Sequence, residues 1–202
     1  MVISAIELRV LAGDELHRHP RLPLAPAGLY DRIGTTCTRD PDTGGAAAWY
    51  VQGMGIASAE GSPPDYERCN WLRDMLLDYT FTEVDQIYDP GASSSQVTTA
   101  LNEGRSIINY TGHGSTTSWS STGFSNTHVD ALTNDNMLPF IIDVACVNGQ
   151  FANGSCFAEA WLRATNGSEP TGAVGIYASS INQDWNPPMA AQDEAVDLLV
   201  AE

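Results

Sequence analysis

Basic residues are scarce. The 202-residue chain sets 9 lysine and arginine side chains against 25 aspartates and glutamates, for a formal net charge of −16. Such a field repels phosphate backbones and anionic headgroups, which argues against nucleic acid as a partner, and it attracts cations and cationic ligands. Acidity of this kind also serves plain solubility. Cysteines are few as well: Cys37, Cys69, Cys146 and Cys156 form no CxxC pair and no zinc-like spacing with histidine, which argues against a structural metal finger. Sequence alone assigns no disulfide among them. No apolar run approaches the roughly 18 residues of a membrane span, and no internal repeat is evident. The opening MVISAIELRVLAGDELHRHPRLPLAP is broken by Glu7, Arg9, Asp14 and Glu15, so it does not read as a signal peptide.

What is present is an ordinary globular composition, 43% apolar and 17% charged, in a chain long enough for one sizeable domain but not for two. Residues 1–44 stand apart: HRHPRLPLAPAG is basic and proline-rich, and TRDPDTGGA closes the region with turn residues, which reads as an extension or linker. From there strands and helices alternate. Ala47 to Ser58 reads as a strand. Asp65 to Tyr79 reads as a helix with Cys69, Leu72, Leu76 and Tyr79 on one core-facing stripe. EVDQIYD is a strand, Ser93 to Glu103 a helix that serines can cap, RSIINY a strand, THVDALTN a short helix and LPFIIDVA an apolar strand. Cys156 to Thr165 is a helix, AVGIYAS a strand, and Ala190 to Ala201 a last helix. This order predicts an α/β fold, a mostly parallel sheet with helices on both faces and sites at the carboxyl ends of its strands.

That rule gives meaning to NYTGHGSTTSW. His113, between Gly112 and Gly114, lies just past one strand, and Cys146 just past another, so a single sheet edge can present an imidazole and a thiol. Singly, each has a plainer explanation, a turn histidine and a small buried cysteine; the pair in this order points to a nucleophile and its acid–base partner. The glycines let the chain turn sharply and leave a backbone N–H open to a developing oxyanion. Asp143 interrupts an apolar strand on the face opposite Ile142 and Val144, which suits a buried, hydrogen-bonded carboxylate. His17 and His19 belong to the extension, and His128 opens a short helix where solvent or capping roles fit.

NYTGHGSTTSW, LPFIIDVACVNGQF, CFAEAWLRA, PTGAVGIYASSINQDWNPPM and GMGIASAEG closely resemble the catalytic domain of the gingipains, bacterial cysteine endopeptidases of family C25 with a caspase-like fold. The resemblance runs from about Ala46 to Glu202. It implies that His113 is the catalytic histidine, Cys146 the nucleophile of a Cys-His dyad, Glu60 the acid that orients the histidine, and the backbone N–H groups of Gly114 and Cys146 the oxyanion hole. It further implies that Asp65 pairs with a substrate guanidinium and Trp185 stacks over it, hence a preference for arginine at P1. Asp65 also suits the plain role of a helix-starting acid, and the stretch between Glu60 and Asp65 is shorter here than in those enzymes. The resemblance implies protein or peptide substrates, an extracellular or cell-surface enzyme, no cofactor required for catalysis, and a structural calcium.

Two departures qualify it. Nothing before about Asp40 resembles the family, and QDEAVDLLVAE reads as the interior of an apolar-faced helix, so residues 45–202 look like a peptidase domain truncated at both ends. Uncovered apolar faces then predict marginal stability or self-association. An inactive fragment or interaction module is a second reading, and a metal-dependent hydrolase built on His113, Asp143 and Glu60 a third.

Overall fold

The structure, a computed structural model, describes residues 44–152 and 154–201. The extension at 1–44, with Cys37, His17 and His19, falls almost wholly outside them. Five parallel strands form the central sheet: β1 (Gln52–Ala57), β2 (Glu83–Tyr88), β3 (Ile107–Thr111), β6 (Phe140–Val144) and β9 (Gly175–Tyr177), in the order β2-β1-β3-β6-β9. Two small antiparallel hairpins, β4 (Gly114–Ser115) with β5 (Ser118–Trp119) and β7 (Thr165–Asn166) with β8 (Glu169–Pro170), branch from the connections. The helices are α1 (Asp65–Tyr79), α2 (Ser94–Glu103), α3 (Asn126–Val129), α4 (Phe157–Arg163) and α5 (Asn186–Val200).

Side-chain alternation splits the core in two. Ile107 and Ile142 face α1 and α5, where they pack with Leu72, Leu76, Val84 and Val196. Ile108, Tyr110 and Ile141 face the other way, into a larger cluster with Val97, Leu101, Trp119, Phe124, Phe157 and Trp161. Helices therefore cover both faces, as a parallel sheet requires. The chain runs outward from β1 to β2 and then crosses back to β3 on the other side. The β1/β3 boundary is thus a topological switch point, the place beside whose carboxyl ends open α/β sheets commonly bind their ligands.

Several sequence expectations shift. Gly44–Val51 is a 3₁₀ helix rather than the first half of a strand; its run of glycine and alanine offers no β-branched surface to pair, and the strand starts only at Gln52. Tyr79 leaves the α1 stripe for solvent at 39% exposure, whereas Cys69, Leu72 and Leu76 are buried. α5 begins at Asn186 rather than Ala190, because Pro187 and Pro188 occupy its first turn, where a missing N–H breaks no helical bond. Ser93 stands at the α2 N-cap, but its hydroxyl bonds Gln96 instead of the backbone.

Candidate active site

The register of the sheet assembles the site. β3 and β6 are neighbours with Thr111 opposite Val144, and the Gly112 N–H extends the ladder by donating to the Val144 carbonyl at 3.2 Å. His113 follows Thr111 by two residues and Cys146 follows Val144 by two, so both leave the same edge side by side. On the other flank of β3, Ala57 of β1 lies opposite Thr111, and Glu60 follows just beyond. Its Oε2 is 3.0 Å from His113 Nε2. A carboxylate only accepts, so Nε2 carries the hydrogen, and in the neutral ring Nδ1 keeps a free lone pair. Nδ1 has no hydrogen-bond partner among the described residues. The two side chains are 55% and 61% exposed, so the pair contributes about 0–1 kcal/mol to stability.

The two glycines have a different reason from the one the sequence suggested. Neither Gly112 nor Gly114 has a positive φ, so no sharp left-handed turn is needed; each is glycine because a Cβ has no room. A Cβ on Gly112 would lie 2.8 Å from Ser121 Oγ and 2.9 Å from the Tyr110 hydroxyl, which curls back to donate to the His113 carbonyl at 2.7 Å. A Cβ on Gly114 would lie 2.8 Å from both the Cys146 carbonyl oxygen and Ala145 Cβ. The histidine loop thus rests directly on the cysteine loop.

Trp119 anchors that loop from below. Its ring stacks on Tyr110 at 4.7 Å and meets Phe157 edge-on at 5.1 Å, and its indole N–H donates to Asp143 Oδ1 at 3.0 Å. Asp143 is 1% exposed, on the face opposite Ile142 as strand alternation predicts, and burial pushes its pKa up to about 8. It therefore sits neutral in the aromatic core while His113 and Glu60 face solvent. The three do not converge as a metal centre, and no group of three acidic, histidine or cysteine side chains among the described residues is arranged to hold a metal ion. No step below is routed through a metal.

Of the three described cysteines, all free, only Cys146 is partly exposed. Burial pushes the Cys69 thiol up to about 12 and raises that of Cys156, which leaves both inert. The Cys146 thiol lies 3.8 Å from the Gln183 carbonyl, and the Gln183 side chain donates to the Ala145 carbonyl at 3.0 Å. The Cys146 backbone N–H meets no protein acceptor among the described residues. Val147, next along, has φ 53, which for a β-branched residue is strained backbone. It is held there by its N–H to Ile181 O at 3.2 Å and by Gly149 N–H to Ser179 O at 2.8 Å.

Asp65 and Trp185 also come together here. The Trp185 indole N–H donates to Asp65 Oδ1 at 2.8 Å, and the Ser58 hydroxyl donates to Oδ2. The Trp185 ring stands edge-on to His113 at 5.1 Å. The short loop from Glu60 is closed by the Asp65 N–H donating to the Glu60 carbonyl at 2.8 Å, which keeps Asp65 at the site. At 1% exposure the carboxylate is shielded, and burial raises its pKa against the lowering effect of the Ser58 and Trp185 hydrogen bonds. His128 is a capping residue: its Nδ1 accepts from the Ser125 N–H at 3.1 Å. An open cleft of about 380 Å³ between β2 and α2 includes none of these residues, and its guanidinium, Arg105, is already held by Asp85 and Glu103.

Sequence reading missed Ser58, Gln183 and the Val147 strain. A serine seven residues before an acid is an ordinary loop signal, and positive φ at valine has none.

Residues 39–196 match Peptidase family C25. Gingipain R2 of Porphyromonas gingivalis is 48% identical over 158 residues, 75% of this chain and 22% of that protein. Lys-gingipain HG66 of the same species is 36% identical over 109 residues, 54% of this chain and 6% of that protein. The crystal structure of the Arg-specific cysteine proteinase gingipain R superimposes with a TM-score of 0.81 at 44% identity, covering 85% of this chain and 41% of that one. A complex of the pro- and mature domains of the Porphyromonas gingivalis protein superimposes with a TM-score of 0.80. This chain thus spans roughly a fifth of gingipain R2, 22% of its length. No helix among its described residues is long and apolar enough to cross a membrane. By sequence and by fold alike, the chain belongs to peptidase family C25.

Proposed function

We propose that this chain carries the reaction centre of a cysteine endopeptidase that cleaves after arginine. The observation that carries the proposal is the parallel register of β3 and β6, which brings His113 and Cys146 off adjacent strand ends at equal offsets. The Cys146 thiolate attacks the scissile carbonyl carbon, and the carbonyl π electrons move to oxygen. That oxyanion is received by the Cys146 and Gly114 N–H groups, each donor supplying about 3 kcal/mol of transition-state stabilisation. As the tetrahedral intermediate collapses, the C–N bond breaks and the protonated imidazole gives its proton to the departing amine. Water then attacks the thioester carbonyl and passes a proton to His113; the C–S bond breaks, which releases the acid product and regenerates the Cys146 thiolate. Glu60 holds the ring in the tautomer this requires.

For P1, a guanidinium displaces the Trp185 N–H from Asp65 and pairs with the carboxylate, while the indole stacks over its plane. The shielding of Asp65 sets the selectivity: only a planar, multiply donating cation replaces both the charge and the hydrogen bond that Trp185 supplied. An extracellular or cell-surface setting with protein or peptide substrates fits this reading.

Hydrolysis of arginyl and lysyl peptide amides under reducing conditions, with Cys146→Ala as control, tests the proposal. Activity surviving in the alanine variant refutes the mechanism, and an absence of both turnover and thiol labelling favours the inactive-fragment reading. Self-association is part of the proposal, because Trp71 of α1 and Leu198 and Leu199 of α5, two helices packed on each other, expose large apolar side chains. A sharp monomer peak in gel filtration at every concentration refutes that part.

A further inference from the structure

On that same reading of Cys146 and His113, we propose that Gln192 is a positioning residue that sets the alignment of the thiol against the imidazole. Gln192 lies in the middle of α5 and is 2% exposed. Its Oε1 accepts from the Thr111 hydroxyl at 2.9 Å. Its Nε2 donates to the Tyr110 carbonyl at 3.2 Å and to the Ile142 carbonyl at 3.2 Å. One side-chain amide thereby clamps two neighbouring strands, three and two residues before His113 on β3 and four residues before Cys146 on β6.

The helix does not need this glutamine in order to dock. Met189 and Val196, one turn to either side, are buried apolar anchors of α5, and an apolar residue at 192 could continue their stripe without the desolvation that an amide incurs. Every hydrogen-bonding group of the buried amide is nonetheless engaged, two donors and an acceptor. Satisfied groups of this kind confer geometric uniqueness more than net stability. What is made unique here is the spacing of two strand ends, together with the helix that starts immediately after Trp185. Gln192 therefore links the histidine strand, the cysteine strand and the tryptophan of the arginine site without touching a substrate.

The test compares Gln192→Met, which keeps the chain length and removes every polar atom, with Gln192→Glu, which keeps the acceptor for Thr111. Thermal melting first establishes that each purified variant is folded, and titration with a thiol-directed inhibitor counts active sites. Per titrated site, kcat of Gln192→Met on an arginyl peptide amide falls roughly ten- to a hundredfold with KM within about twofold, the scale expected when reacting groups move by about 1 Å. The pH profile of Cys146 alkylation shifts in parallel, and Gln192→Glu, which loses both donors to the strand carbonyls, also falls in kcat. Loss of stability alone lowers the count of active sites but moves neither kcat per site nor the alkylation profile. A folded Gln192→Met variant with the unaltered kcat and alkylation profile overturns the inference and leaves the peptidase reading standing. If that variant does not fold, Gln192→Glu decides in the same way. An unaltered protein that neither cleaves nor alkylates at Cys146 overturns the peptidase reading, and this inference with it.

Discussion

Replacing Asp143 by asparagine should remove a specific slope from the stability–pH curve. The carboxyl is 1% exposed, and its pKa is pushed up to about 8 by burial, against the lowering effect of the Trp119 hydrogen bond. In the unfolded chain the same group titrates near 3.9. Between those values the folded state holds a proton that the unfolded state has lost, so stability falls as pH rises, by about 1.4 kcal/mol per pH unit at full effect. Below the unfolded value both states are protonated and the slope vanishes; above the folded value it vanishes again. From pH 5 to pH 7 the wild-type chain should lose up to about 2.7 kcal/mol through this group, a ceiling because native relaxation and water entry reduce it. The carboxamide of the Asp143→Asn variant resembles the neutral acid in shape and still accepts from Trp119, but it cannot ionise. Urea denaturation at pH 5, 6 and 7 and constant ionic strength, on both proteins, isolates the difference from the general repulsion of a chain at −16. Parallel curves for the two proteins would refute the claim that Asp143 is neutral in the fold.

The remaining predictions concern the loops above it. Gly114→Ala drives a Cβ to 2.8 Å from the Cys146 carbonyl oxygen; turnover should fall more than about a hundredfold while stability drops by only about 1–3 kcal/mol, so kinetics and melting together test it. Val147→Gly relieves backbone held at φ 53, and since such strain costs of order 1–3 kcal/mol, the variant should melt no lower than wild type yet label more slowly at Cys146. Because burial raises the Asp65 pKa, affinity for arginyl substrates should begin to weaken with falling pH above the ordinary aspartate value. The ratio of kcat/KM for P1 arginine to that for an uncharged P1 residue, followed from pH 7 to pH 4, measures this; a flat ratio contradicts it.

Periodicity made most of the scaffold legible. α1 runs from Asp65 to Tyr79 as its apolar spacing dictates, and the Ile- and Val-rich runs became β3 and β6 because both of their faces are buried. The hairpin β4–β5 escaped notice, since two-residue strands cannot show an alternation. His113 and Cys146 were visible as reactive side chains just past strand ends, a local signal. Glu60, Asp65 and Trp185 came only through resemblance, because nothing in their spacing tells that α5 folds back to bring an indole onto a carboxylate 120 residues away. Gln192 was silent altogether: a glutamine in a helix reads as a surface residue, and only the packing of α5 across β3 and β6 reveals it as buried.

Labelling with an arginyl chloromethyl ketone, followed by mass mapping of the modified cysteine, addresses the dyad directly. The thiolate should displace chloride and place one label per chain on Cys146, and His113→Ala should slow that reaction many-fold in a protein that still folds. A label on Cys69 or Cys156, or an unchanged rate without the imidazole, would contradict the pairing of these two strand ends as a reaction centre.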